Sequence, residues 1–374
     1  MVGRRPNPDA DGPCARRDPC VTASFVLFVQ KVIPMKTVAL IALTCLALTA
    51  CGGDDTSAPA SSGGSGTSNN GGSGGTGTGS GGTGGGGAGS GGSGGSGGGT
   101  LTWRYEAQPV AADRASFLTL VNNEGAKGYR YLGDYFYNAS NGGSQSIFVN
   151  DGTAQTYTYQ LQTAPADMTS FVNAANAQGA SGYRYEGPLT YGDLYRKDGG
   201  SSATYTYTAT GLPADANAFL AQANGQGQSG YWFLGPMAVG TAQANVYMKN
   251  NASNATYTYD ALAPTSTVGD FIAQANSEGA KGYRAKGAMA FGTAISWVYV
   301  KDQTQSPTFT YQSAAIQSTG ASFVQQANTF GAQGSAYLSD LALGSPAPVM
   351  ASFYFTPKNC TGFLCTTLNP LTQN

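Results

Sequence analysis

The sequence predicts an α+β protein built from five tandem βαββ modules, and three observations predict it. A phenylalanine recurs at Phe117, Phe171, Phe219, Phe271 and Phe323, at intervals of 48 to 54 residues. Behind each one stands the same punctuation: Asn122, Asn176, Asn224, Asn276 and Asn328, then Gly125, Gly179, Gly227, Gly279 and Gly331, then Gly128, Gly182, Gly230, Gly282 and Gly334. Ahead of four of them runs an alternation of threonine with aromatic residues, as in Thr156-Tyr157-Thr158-Tyr159. A period of about fifty residues marks a supersecondary unit that buries its apolar face by stacking on its neighbours.

Each element of the module has a physical reason. The Thr/aromatic alternation has period two, the mark of a strand with two unlike faces, so one aromatic row is expected to pack on the helix. Asp113, Asp167, Asp215, Thr267 and Thr319 stand where a side-chain oxygen can accept a bond from the first turn of a helix of about eleven residues. Phe, the aliphatic residue after it and the small residue four positions later form the apolar face of that helix. The first glycine is expected to end the helix in the left-handed conformation. A second strand follows, seen in Tyr129-Arg130-Tyr131 and Tyr183-Arg184-Tyr185, and a third covers Ile147–Asn150, Leu194–Lys197, Val246–Lys249, Val298–Lys301 and Phe353–Phe355. Asparagine is poorly suited to a helix interior, so the repeated Asn is expected either to bond the turn that follows it or to line a shared polar groove.

The modules occupy residues 101–151, 156–199, 204–250, 256–302 and 308–357, with a tail at 358–374. A unit of this size buries too little surface to stand alone, and the connections are short, so the modules are expected to lean on one another. Two packings satisfy that requirement: a closed five-fold, propeller-like ring or an open row. The repeat number and module size are similar to those of the five-bladed α/β propellers called penteins. That resemblance is architectural, because pentein enzymes use a catalytic Cys with a His, and this chain has no histidine. The Asn-x-x-Gly-x-x-Gly-Tyr closure also resembles that of small bacterial domains of unknown function, and it implies a shape without an activity. The fifth copy departs from it with Ser335 in place of Tyr, as a terminal unit does.

Ahead of the modules, Met35-Lys36, an apolar run from Val38 to Leu48 and small residues before Cys51 describe a secretory signal at 35–50. The tetrad Leu48-Thr49-Ala50-Cys51 resembles the lipobox of bacterial lipoproteins. The resemblance implies lipidation of Cys51 after cleavage, and Gly52 in place of Asp implies sorting to the outer membrane. Residues 1–34 are an upstream extension, which Met35 as the true start would remove; the alternative is a long leader with a second apolar patch at 21–29. Residues 51–100 are mostly Gly, Ser and Thr. Such a tether has a root-mean-square span of about 40 Å and a full reach of about 160 Å.

Composition narrows the chemistry. Charged residues make up 10% of the chain with a net charge of -1, and the modules hold no basic run able to neutralise a phosphate backbone, which argues against nucleic acid as a partner. The lack of histidine removes the commonest general base and metal ligand, so the chain is expected to be non-enzymatic and to need no cofactor, with an enzyme as the alternative from a different class. Cys360 and Cys365 are expected to form a disulfide in an oxidising compartment, with a metal or redox site as the alternative. The Gly-Ala-Lys-Gly runs at Gly125 and Gly279 follow a helix instead of preceding one, the wrong polarity for a phosphate loop. Tyr129, Arg130, Tyr183, Arg184, Tyr231, Tyr283 and Arg284 supply rings and forked donors, the materials of a glycan site. The alternative is that the rings are core and the arginines solvated. The partners expected are therefore the membrane, through the lipid on Cys51, and a glycan or an envelope protein.

Overall fold

The computed structural model describes residues 101–137, 143–344 and 347–366. Cys51, the signal, the tether, the 1–34 extension and the tail beyond Thr366 lie outside the described residues. The described chain is mixed α+β, with five three-stranded antiparallel sheets and six helices in repeated modules. Module 1 comprises β1 (Arg104–Pro109), α1 (Arg114–Ala126), β2 (Arg130–Phe136) and β3 (Ser144–Asn150). Module 2 comprises β4 (Tyr157–Gln162), α2 (Met168–Ala180), β5 (Arg184–Leu189) and β6 (Gly192–Asp198). Module 3 comprises β7 (Tyr205–Gly211), α3 (Ala216–Gln228), β8 (Tyr231–Val239) and β9 (Ala242–Asn250). Module 4 comprises β10 (Tyr257–Leu262), α4 (Val268–Ala280), β11 (Arg284–Phe291) and β12 (Ala294–Asp302). Module 5 comprises β13 (Thr308–Ala314), α5 (Gly320–Ala332), β14 (Ala336–Leu343) and β15 (Val349–Lys358), and a short α6 (Phe363–Thr366) follows. In every sheet the third strand is central, paired with the first on one side and the second on the other. Among the described residues no sheet joins another, and no helix is long and apolar enough to cross a membrane.

The five module helices run 13 residues each and start where the caps were expected. Asp113, Asp167, Asp215, Thr267 and Thr319 accept a backbone N–H of the first turn at 2.7–3.1 Å. The two glycines, however, have different roles from those expected. Gly125 and its equivalents lie inside the helix, and the left-handed residue is the second glycine, with φ of +84° to +90° from Gly128 to Gly334. Tyr129 N–H then reaches back to Glu124 O at 2.9 Å and Gly128 N–H to Gly125 O at 3.0 Å, which closes the helix end. The first glycine is needed for approach. A Cβ on Gly125, Gly179, Gly227, Gly279 or Gly331 would land on the carbonyl oxygen of Tyr157, Tyr205, Tyr257, Phe309 or Trp103, in each case at the start of another module.

Each helix thus packs on a neighbour as well as on its own sheet: α1 on β4, α2 on β7, α3 on β10, α4 on β13, and α5 on β1. The repeated asparagine is the clamp. Asn122 accepts Tyr159 N–H at 2.8 Å and donates to Tyr159 O at 3.2 Å, and Asn176, Asn224 and Asn276 hold Tyr207, Tyr259 and Tyr311 in the same way. Asn328 of module 5 makes both bonds to Tyr105 of module 1, at 2.6 and 3.0 Å. The asparagines therefore bond neither the following turn nor a shared groove. They satisfy both backbone groups of a strand residue that an edge would otherwise leave unpaired.

A second latch repeats beside the first. Each second strand is bulged, with Leu132, Glu186, Leu234, Lys286 or Leu338 as the extra residue. The backbone N–H ahead of the bulge donates to the hydroxyl of the next module's tyrosine at 2.7–3.0 Å: Tyr131 to Tyr159, Tyr185 to Tyr207, Phe233 to Tyr259, Ala285 to Tyr311, and Tyr337 of module 5 to Tyr105 of module 1. Phenylalanine fills the space between sheets. Phe117, for example, lies 5.2 Å edge-on to Tyr131 of its own module and 4.9 Å from stacked Tyr191 of the next. Phe323 lies 5.0 Å from Tyr337 and 5.7 Å from stacked Tyr135 of module 1.

Module 4 varies this packing in a compensated way. Ala285 stands where the others carry Tyr or Phe, and the ring against Phe271 is instead Trp297, at 4.6 Å. The residues equivalent to Trp297 are Ser146, Asp193, Asn245 and Ser352. One large ring per module occupies the space, from whichever strand supplies it.

Candidate functional site

The bulges and the strand residues before them direct charged side chains into one buried interior. Arg130 pairs with Asp151 at 3.5 Å, Arg184 with Glu186 at 3.3 Å, and Arg196 with both Glu186 and Asp198 at 3.0 Å. Burial pushes the Glu186 carboxyl up to about 7, against the pull of the Arg184 and Arg130 guanidiniums. Burial also lowers Arg284 to about 10 and holds Lys286 well below the usual lysine range. The interior is shared between modules: Arg130 of module 1 acts on Glu186 of module 2 and on Arg284 of module 4.

This interior is covered by the end of the chain. Cys360 and Cys365 are joined by a disulfide, and the loop they close buries Phe363, Leu364 and Cys365. Arg284 Nη1 donates to Leu364 O at 3.0 Å, and Arg184 lies 5.2 Å over the Phe363 ring. Phe363 stacks on Tyr205 with centroids 6.3 Å apart and meets Trp232 edge-on at the same distance. Gln305 fastens the loop by accepting Thr361 N–H at 2.8 Å and donating to Thr361 O at 3.1 Å.

Beside the loop is a polar basin of about 310 Å³. Arg184, Tyr205, Tyr257 and Phe363 line it, together with Asn250 at the end of β9 and hydroxyls from the connections that follow modules 2, 3 and 4, among them Ser201, Ser253 and Thr304. Asp198 and Asp302 also border it. Asp302 accepts Thr304 N–H at 2.8 Å, Thr304 Oγ1 at 2.6 Å and Gln305 Nε2 at 2.6 Å, while Asp198 is held by Arg196. Arg184 is 2% exposed, and its Nη2 has no hydrogen-bond partner among the described residues. Fixed polar groups with unused hydrogen-bonding capacity thus lie beside an aromatic surface.

A second cavity, of about 430 Å³, lies between modules 3 and 4 and is lined chiefly by apolar residues such as Leu212, Phe233, Met289 and Phe291. Lys286 borders it, but its ammonium group is directed to the rings of Trp232 and Phe233, at 5.1 and 5.2 Å. With few polar groups to orient a ligand, that cleft specifies less than the basin does.

Of the seven residues expected from sequence to meet a glycan, the basin includes Arg184. Arg130 and Arg284 are buried in the shared interior, so the arginines are not solvated. Tyr129, Tyr183, Tyr231 and Tyr283 are half-buried where each helix-closing turn enters the second strand. Lys197, Lys249 and Lys301 sit over the last three of these rings at 5.6–5.9 Å, and Lys197 donates to Ser181 O at the end of α2. Sequence reasoning missed Asp198, Asn250, Ser253, Asp302 and Phe363. The available signal was the repeat itself, since Asp198, Asn250 and Asp302 pair with Tyr157, Tyr205 and Tyr257 at one repeated register position; Phe363 lies in the tail, outside the repeat. No protein-family model, no curated protein and no solved structure matches this chain.

Proposed function

We propose that this protein is a non-enzymatic glycan-binding lipoprotein of the bacterial envelope. In this reading Cys51 carries the lipid at the outer membrane, residues 51–100 hold the modules away from it, and the five modules close into a propeller-like ring whose polar basin takes the ligand. Ring closure is supported by the contacts of α5 with β1, which repeat the Asn clamp, the Tyr latch and the glycine approach of the other junctions. The observation that carries the binding reading is the basin itself, where equivalent positions of modules 2, 3 and 4 (Asp198, Asn250 and Asp302; Ser201 and Ser253; Tyr205 and Tyr257) bring polar groups and aromatic edges to one concavity beside the terminal loop. Hydroxyls, amides and an aromatic edge match the donors, acceptors and C–H faces of a sugar.

The test is retention of the whole chain on insoluble peptidoglycan and on a panel of immobilised polysaccharides, with Ser253→Trp as the basin-blocked variant. Specific retention that Ser253→Trp abolishes is the expected result. Passage through every matrix, or retention unchanged by Ser253→Trp, refutes binding at this site. For the anchor, Cys51→Ser is expected to release the protein from membranes, and persistence in the membrane fraction would refute lipidation at that residue.

A further inference from the structure

We infer that the basin selects a sugar bearing a carboxylate, such as a uronic acid; the inference rests on the glycan reading above. Its centre is Arg184. The guanidinium is 2% exposed and uses Nε on Glu186 at 3.3 Å, and its Nη2 is left without a hydrogen-bond partner among the described residues. Contact with the Phe363 ring at 5.2 Å helps to hold its plane beside the basin. A planar, fixed cation with an unused N–H is matched best by a carboxylate, whose charge and geometry both fit the guanidinium fork.

The remaining lining favours a carboxylate carried on a sugar over a bare anion. Asp198 and Asp302 flank Arg184 in the basin, and a phosphate or sulfate would bring more negative charge against them. A uronic acid brings one charge, and its ring hydroxyls can donate to those same aspartates. Asn250, at the end of β9, and Ser253, in the connection after it, line the basin with further polar groups for the other hydroxyls, and the basin volume of about 310 Å³ admits one sugar residue.

The experiment titrates the whole chain with an oligogalacturonate and with the same oligosaccharide after reduction of its carboxylates to hydroxymethyl groups. The expected result is a preference for the acid of about tenfold or more, lost on Arg184→Lys, which keeps the charge but not the fork. Should Arg184→Lys fail to fold, Ser253→Trp serves instead, since it closes the basin from a half-exposed connection and must remove the preference. Equal binding of acid and reduced sugar, both blocked by Ser253→Trp, overturns the carboxylate inference and leaves the glycan reading standing. Binding of neither overturns both.

Discussion

Gly331→Ala tests the proposed ring through the sign of its effect. Within a helix, Gly→Ala normally stabilises by about 1 kcal/mol, because alanine loses less backbone freedom on folding. Gly225 in α3 provides that baseline, since a Cβ there meets nothing within 4 Å. At Gly331 the same methyl would land on Trp103 O, in a backbone that cannot swing aside. Trp103 N–H donates to Gly331 O at 3.0 Å, and Asn328 holds Tyr105 by two further bonds. Overpacking against a fixed neighbour costs about 1–3 kcal/mol, and weakening three clamp bonds adds about 1 kcal/mol or more. After subtraction of the propensity gain, a closed ring predicts net destabilisation of about 1–3 kcal/mol. An open row leaves this face of α5 without a neighbour and predicts stabilisation of about 1 kcal/mol, as at Gly225. Equilibrium urea unfolding of the whole chain separates the two, with Gly227→Ala as the internal-junction control because its Cβ would meet Tyr257 O. If Gly331→Ala raises stability as Gly225→Ala does, the ring is wrong.

Three further predictions concern the junctions and the buried charges. Asn276→Ala removes both bonds to Tyr311 and leaves a buried N–H and C=O unpaired, so a loss of about 2–4 kcal/mol in urea unfolding is expected, and a loss below 1 kcal/mol would remove the clamp from the account. Ala285→Tyr alone crowds Trp297, whereas Ala285→Tyr with Trp297→Ser recreates the Tyr131/Ser146 arrangement of module 1; a double-mutant cycle should show favourable coupling of about 1–3 kcal/mol, and additivity would refute the shared space. Burial, aided by Glu124, raises Glu106 to about 7, and burial raises Glu186 to about 7 and Asp193 to about 6. These groups bind protons more tightly folded than unfolded, so their contribution to stability is full below about pH 4 and is lost as pH rises through 6 to 7. Lys286, lowered by burial, acts with the opposite sign, so the expectation is read by difference: Asp193→Asn should remove a component that favours pH 5 over pH 8 in the urea midpoint, and an unchanged difference between the two pH values would contradict the assignment. The capping carboxylates Asp113 and Asp167 are shifted downward by backbone N–H bonds and act only in more acidic solution, outside this window.

By itself the sequence determined the module: its number, its β-α-β-β order, the capping residue of each helix and the requirement that modules lean on one another. All of these rest on short-range chemistry. A cap needs an oxygen within three residues of a free N–H, and a strand with unlike faces shows its period in consecutive letters. Only the tertiary structure decided what the repeated residues are for. Gly125 and Gly128 look alike in sequence, yet one admits a neighbour's carbonyl and the other adopts φ of +87°, and only the neighbour's position distinguishes them. Asn122 reaches Tyr159, 37 residues away, and Asn328 reaches Tyr105, 223 residues away, distances over which letters carry no register. The basin was the least legible part, because Arg184, Asp302 and Phe363 come from the start of β5, the end of β12 and the tail, which only folding brings together. Repetition marked most of the basin's residues, such as Asp198, Asn250 and Asp302 opposite Tyr157, Tyr205 and Tyr257, but only the packing of modules 2, 3 and 4 beside the tail decided which copies share one concavity.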